Sequence, residues 1–145
     1  MKVLTFDIED WFHILDHPET AEMESWSGFE SRLESGVDRI LGLLSDFDQR
    51  ATFFCLGWVA EKYPHVVRRI SAQGHHLGTH SFSHQLVYEA SPDQFENDLR
   101  RSVCAIEDAA GAKVGAYRAP GFSITQESTW AFEVLAKNDI EVDCS

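Results

Sequence analysis

Five short β-rich runs, each separated from the next by a helical stretch, constrain this chain of 145 residues more than any other feature. The runs fall at 3–8, 51–57, 76–80, 114–118 and 140–143. Between the first two, Leu33, Val37, Ile40, Leu41 and Leu44 recur at helical spacing over 32–47. Ser31 and Glu34 read as a capping box at the start of that helix. Pro64 opens a second helix, which Gly74 ends, with Val66, Val67 and Ile70 turned inward. Ser91-Pro92 opens a third, an N-cap followed by proline at the first helical position. Phe95, Leu99, Val103 and Ile106 trace its buried face as far as Gly111. The fourth begins after Thr125, carries Trp130, Val134 and Leu135 inward, and leads through Asn138 to the last strand. Repeated βα units call for right-handed crossovers and a parallel sheet, hence a barrel or a doubly wound sheet. One domain fits the length, and 43% hydrophobic residues supply its core.

In such architectures the C-terminal ends of the strands open onto one face, where ligands bind. Three segments far apart in sequence carry acid, histidine or arginine at those ends: Thr5-Phe6-Asp7-Ile8-Glu9-Asp10, Thr79-His80-Ser81-Phe82-Ser83-His84 and Tyr117-Arg118-Ala119-Pro120-Gly121. Two imidazoles and a carboxylate are a common ligand set for a catalytic divalent metal that keeps a position open for water. His80 and His84 supply the imidazoles, and zinc is the first expectation. On an extended strand Asp7 and Glu9 share a face, which favours Glu9 as the third ligand. Asp10 takes that place if the strand has already turned.

The longest connection, from His13 to Glu30, holds Trp26 and Phe29 close after Trp11 and Phe12. Aromatic rings of this kind are platforms for the apolar faces of sugars, or covers for the open end of a core, and the sequence supports both readings. A formal charge of -12 argues against nucleic acid or an anionic membrane surface as a partner, because phosphate attraction would be reversed in sign. Cys55, Cys104 and Cys144 form no motif spacing and, with apolar neighbours, are expected as reduced, buried thiols. Met1-Lys2 runs straight into the first strand, and no apolar stretch reaches membrane-spanning length, so a cytoplasmic location is expected. Nothing in the sequence specifies an oligomeric state.

Together with Ala51-Thr52-Phe53-Phe54, Leu56-Gly57-Trp58, Gly74-His75-His76-Leu77-Gly78-Thr79-His80 and Arg118-Ala119-Pro120-Gly121-Phe122-Ser123-Ile124, these motifs resemble, in family order, the polysaccharide deacetylases (NodB-homology domain, carbohydrate esterase family 4). The first motif is that of the branch reading Asp-x-Glu-Asp-Trp-Phe, and the resemblance runs from about residue 3 to the last. It implies a distorted (β/α) barrel. A full barrel takes roughly 250 residues, so 1–145 is expected to be the N-terminal part of one catalytic domain, about five βα units.

The activity implied is metal-dependent removal of N-acetyl groups from sugars of a surface or exported polysaccharide, or of its precursor. By the resemblance Asp7 matches the base, His80 and His84 the metal-binding histidines, and Arg118 the arginine that orients and charge-pairs the base. Trp11, Pro120 and Gly121 are expected against the substrate. Two departures stand out. The family's base and ligand aspartates are normally adjacent, whereas here Ile8 follows Asp7 and two acids come next. The family's general-acid histidine has no counterpart after Asp143, and His13, His17 and His75 sit in other motifs, where surface or structural roles are expected. A related amidohydrolase acting on a small cyclic amide or ureide, or a non-catalytic sugar-binding remnant, are the competing readings. The intact Asp7, His80, His84 and Arg118 weigh against the last.

Overall fold

Each of the five runs forms a strand, and the strands lie side by side in chain order: β1 (Thr5–Ile8), β2 (Thr52–Cys55), β3 (His76–Thr79), β4 (Ala116–Tyr117) and β5 (Val142–Asp143). All pairings are parallel, from Thr5 opposite Thr52 to Tyr117 opposite Asp143. The computed structural model describes residues 3–145. Helices α1 (Leu33–Asp46), α2 (Gly57–Lys62), α3 (Pro64–Ala72), α4 (Pro92–Ala110) and α5 (Trp130–Lys137) fill the crossovers. Sequential parallel order means that every βα unit steps in the same direction, as in a (β/α) barrel. β1 and β5 form the two edges of the sheet.

Two details depart from the sequence reading. The run at 51–57 ends early, because Gly57 already starts α2, a helix that periodicity did not reveal. Tyr63 separates α2 from α3 with φ -129 and ψ 56, since the ring of Pro64 excludes the helical conformation from the residue before it. Nor does the full Ser31–Glu34 capping box form, although Ser31 Oγ accepts from Leu33 N at 3.2 Å. Glu34 instead meets His65 at 2.9 Å, and the start of α1 is capped from the end of β1. There Asp10 Oδ2 accepts from Arg32 N (3.0 Å), Leu33 N (3.3 Å) and Ser31 Oγ. A carboxylate against unsatisfied N–H groups at a helix start is a stronger, charge-assisted acceptor than a serine hydroxyl. α4 begins as expected, with Gln94 N donating to Ser91 Oγ (3.3 Å) and Ser91 N to Gln94 Oε1 (2.8 Å), and it ends at Gly111 with φ 67.

Val37, Leu41 and Leu44 of α1 pack with Val66, Val67 and Ile70 of α3 against Phe53 and Cys55 of β2. Phe95 and Leu99 of α4 pack with Tyr117, Ala131 and Leu135 in a second cluster, and Val103 touches both. Of the three free cysteines only Cys55 is buried; Cys104 is exposed and Cys144 intermediate, which corrects the expectation of three buried thiols.

α2 and α4 meet at Gly57. A Cβ there would lie 2.5 Å from Phe82 Cδ2 and 2.6 Å from Ser102 Cα. Backbone on one side leaves no flexible neighbour to yield. Gly57→Ala is therefore expected to push the helices apart and to destabilise the chain by about 2 kcal/mol, as overpacking does. Urea denaturation checks this, with an unchanged midpoint as the contrary result.

Candidate active site

The register of the sheet places Asp7 opposite Phe54 and Phe54 opposite Gly78. Gly78 is needed in this row: a Cβ on it would fall 2.6 Å from Phe54 Cδ1. The Phe54 ring occupies that space, and the Arg118 guanidinium lies over it at 4.3 Å. From there Arg118 Nη1 donates to Asp7 Oδ1 (2.9 Å), Nη2 to Thr5 Oγ1 (3.1 Å) and Nε to the carbonyl of Cys144 (3.2 Å). Its own carbonyl accepts from His80 Nδ1 at 2.7 Å. The side chain of Arg118 is 13% exposed and that of Asp7 30%, so the pair is held at the edge of solvent.

Glu9, just past β1, meets His80 and His84, just past β3, so that one ligand atom of each lies within 4.8 Å of the other two. His84 Nε2 is 2.9 Å from Glu9 Oε2. That contact is not aligned as a hydrogen bond, and Glu9 Oε2 is buried without a hydrogen-bond partner. Lone pairs that converge on a shared point rather than on each other fit a cation among them. The donor set, two imidazoles and one carboxylate, is that of a catalytic zinc site with a position left for water or substrate. The Arg118 carbonyl on His80 Nδ1 fixes the tautomer that presents Nε2 to the site. Burial pushes the Glu9 carboxyl up, but the neighbouring His84, and then His80 and His13, hold it below the usual carboxylate value. Burial lowers His80, and the nearby His84 lowers it further, against the opposing pull of Asp7. Both residues therefore favour the deprotonated, ligating form.

Asp10 takes no part in this group. The residue is 7% exposed and its carboxylate is used in capping, accepting from Trp11 N (3.0 Å) as well as from the start of α1. The backbone is still extended at Asp10 (φ -101, ψ 167) and turns only at Trp11, so successive side chains point to opposite sides, Glu9 to the histidines and Asp10 to the helix.

Asp7, Glu9, His80, His84 and Arg118 line one cavity of about 470 Å³, together with Trp11, Gly121 and Phe122. Pro120 is buried and does not line it. Trp11 is 50% exposed and held by Nε1 donating to the Glu30 carbonyl at 3.0 Å. Trp26 is only 4% exposed and packs edge-on against His13 and Trp58, so it covers the core. Phe29 stacks on Phe12.

His17 is exposed, and His75 lies just before β3, at the opposite end of the strands from the site. His13 is closer than expected. It lines the cavity, and its Nδ1 accepts from Asp10 N at 2.8 Å. Burial, and then His84, push it down to about 4. Sequence reasoning missed His13 and Phe122 as cavity residues; the offset of three between Asp10 and His13, a capping-box spacing, was the available signal for the first.

The sequence profile of the family described as "Polysaccharide deacetylase" matches residues 3–140, and the chain belongs to that family. A peptidoglycan-N-acetylglucosamine deacetylase of Bacillus cereus is 33% identical over 96 residues, 66% of this chain and 35% of that protein. A peptidoglycan deacetylase of Helicobacter pylori is 30% identical over 112 residues, 77% of this chain and 37% of its own length. The chain thus spans little more than a third of these relatives. Among solved structures, a pseudoenzyme of carbohydrate esterase family 4 from Bacillus anthracis superposes with a TM-score of 0.74 at 20% identity, over 97% of this chain and 41% of that one. The five-stranded α/β fold is accordingly part of the (β/α) barrel of these proteins.

Two outcomes follow from the site. Glu9→Gln should weaken zinc binding by about tenfold or more with little loss of stability, whereas Asp10→Asn should leave zinc affinity close to wild type and cost about 1–2 kcal/mol of stability. Isothermal titration with zinc, alongside urea melts, separates them. For His13 the sign is that of a depressed group: its pKa is about 4 in the folded chain and roughly 6.5 unfolded. The unfolded chain binds the extra proton between those values, so stability is fully present above pH ~6.5 and declines as the pH falls toward ~4. Metal-free His13→Gln should show a flatter melting profile over that window, and an unchanged slope would remove His13 as its source.

Proposed function

We propose that the chain carries the metal-dependent centre of an N-deacetylase acting on acetylated amino-sugar units of a polysaccharide or its precursor. The observation that carries this reading is the joint placement, in one cavity, of a three-residue cation site and a carboxylate held by an arginine. Glu9, His80 and His84 would hold the metal, with zinc favoured by the nitrogen-rich donor set. When bound, the ion would polarise the acetyl carbonyl and lower the pKa of water beside it.

The chain's own residues supply the rest. Asp7, partly open to solvent, is placed to take the proton of the attacking water. Arg118 fixes the orientation of Asp7 through Nη1 and is itself fixed by Phe54, Thr5 and the Cys144 carbonyl, so the carboxylate does not swing onto the cation site. Trp11 and Phe122, 50% and 65% exposed at the cavity wall, offer ring faces to the apolar faces of sugar rings. The peptidoglycan deacetylases among the relatives are named for substrates of this acetylated-sugar class, which supports the reading.

In the complete domain, Asp7→Asn should leave zinc stoichiometry intact and reduce acetate release from short N-acetylglucosamine oligomers by about 100-fold or more, since an amide cannot accept the water's proton. Metal content and turnover, measured on the same preparations, test it. Loss of zinc from the variant would make Asp7 a ligand, and a zinc-loaded complete domain that releases no acetate would favour the sugar-binding remnant.

A further inference from the structure

The segment joining His80 to His84 has an unusual backbone: Ser81 and His84 both have positive φ, 65° and 59°, a region that side chains other than glycine and asparagine rarely occupy. Such conformations persist only where the surroundings over-determine them. Here the surroundings are α2 and α4. The first two amides of α2 donate into the segment, Gly57 N to the Ser81 carbonyl (2.9 Å) and Trp58 N to the Phe82 carbonyl (3.2 Å). From α4, Ser102 Oγ donates to the Ser81 carbonyl at 2.9 Å, and Arg101 lies over the Phe82 ring at 3.6 Å.

Three further donors of the segment converge on one carboxylate. Asp98 of α4 accepts from Phe82 N through Oδ1 (2.7 Å) and from Ser83 N and Ser83 Oγ through Oδ2 (3.0 and 2.6 Å). Ser81 Oγ then accepts from His84 N at 2.9 Å, which closes the turn on the second histidine. Asp98 lines neither the site cavity nor the wider one beside it. It hydrogen-bonds to no candidate ligand, yet it holds the two backbone amides midway between two of them.

We propose that Asp98 is a positioning residue for the cation site, fixing the distance and orientation between His80 and His84 by binding the amides of Phe82 and Ser83. The inference rests on the metal-centre reading above and names a determinant of it outside the cavity. Helix α4 makes the anchor rigid, because Leu99 and Ser102, one and four residues on, are both fully buried. Two parallel acceptors on one planar group set the directions of both N–H bonds, which a water molecule would not do.

Asp98→Asn tests the proposal, since its amide presents one donor where two acceptors are required. In the variant, zinc affinity measured by competition with a chromophoric chelator should fall by about 10- to 100-fold, the scale of losses on removing outer-shell support. In the metal-free protein the amides of Phe82 and Ser83 should exchange hydrogen faster, while those of β1 and α1 keep their protection. Ser83→Ala, which removes one of the three bonds at an incompletely buried position, should lose less affinity than Asp98→Asn. Wild-type zinc affinity in Asp98→Asn, or exchange that accelerates equally across β1 and α1, would overturn the positioning role. A wild-type chain that binds no zinc would instead remove the metal-centre reading, and the exchange measurement on metal-free protein would still decide whether Asp98 fixes the turn.

Discussion

One residue, Arg118, touches or braces every strand of the sheet. It leaves the end of β4, crosses the Phe54 ring of β2, pairs with Asp7 and Thr5 of β1, reaches the Cys144 carbonyl after β5, and through its own carbonyl holds His80 after β3. A guanidinium suits this place because its planar fork can stack and donate in several directions at once, which a lysine ammonium cannot. The row beneath makes the crossing possible: Gly78 leaves room for Phe54, and Phe54 forms the floor on which the guanidinium rests. The hold on the proposed base and the bracing of the sheet are in this sense one interaction. The proposed base is held by a group that also ties the edge strand β5 to the edge strand β1.

The second organising feature is the division of labour among three acids in four residues. Asp7, on the strand, pairs with arginine; Glu9, past its end, faces the histidines; Asp10 turns back to cap α1. Neighbouring residues on an extended strand point to opposite sides, so a base and a ligand on the same face need a residue between them. Ile8 is that residue, and its side chain, 2% exposed, goes into the core.

Much of this was legible in the sequence. Alternating strand and helix periods gave the parallel order, and strand-end polarity brought Asp7, His80, His84 and Arg118 to one face. The preference for Glu9 over Asp10 came from the pleat alone, and the observed geometry places Glu9 with the histidines. Other features were hidden, each for a physical reason. The charged part of the α1 cap comes from a residue 22 positions before Arg32, so a local spacing rule could reach only the Ser31 hydroxyl that joins it. Helix α2 is too short for periodicity to show, at 6 residues. Trp26 and Trp11 look alike in sequence, yet one is core and the other rim, because burial depends on how the 13–30 connection folds back on Trp58. The clasp of Asp98 on the histidine turn joins residues 15 and 16 apart across two elements, and nothing local marks it.

Arg118 serves both the candidate cation site, through its carbonyl on His80, and the proposed base, through its guanidinium on Asp7, but the second histidine and the base are supported by different parts of the fold. His84 depends on a turn clasped between α2 and α4, whereas Asp7 depends on Arg118 and the strand row beneath it. Asp10 joins the two only indirectly, because its backbone N–H orients His13 beside His84 while its carboxylate anchors α1. Separate supports let each group be held in a geometry that the other would disturb: a carboxylate directed at a cation would be drawn into ligation unless another positive charge held it. Arg118 is that charge for Asp7. Glu9, with two histidines and no arginine beside it, has no such competitor, and its carboxylate is the one left free to face a metal.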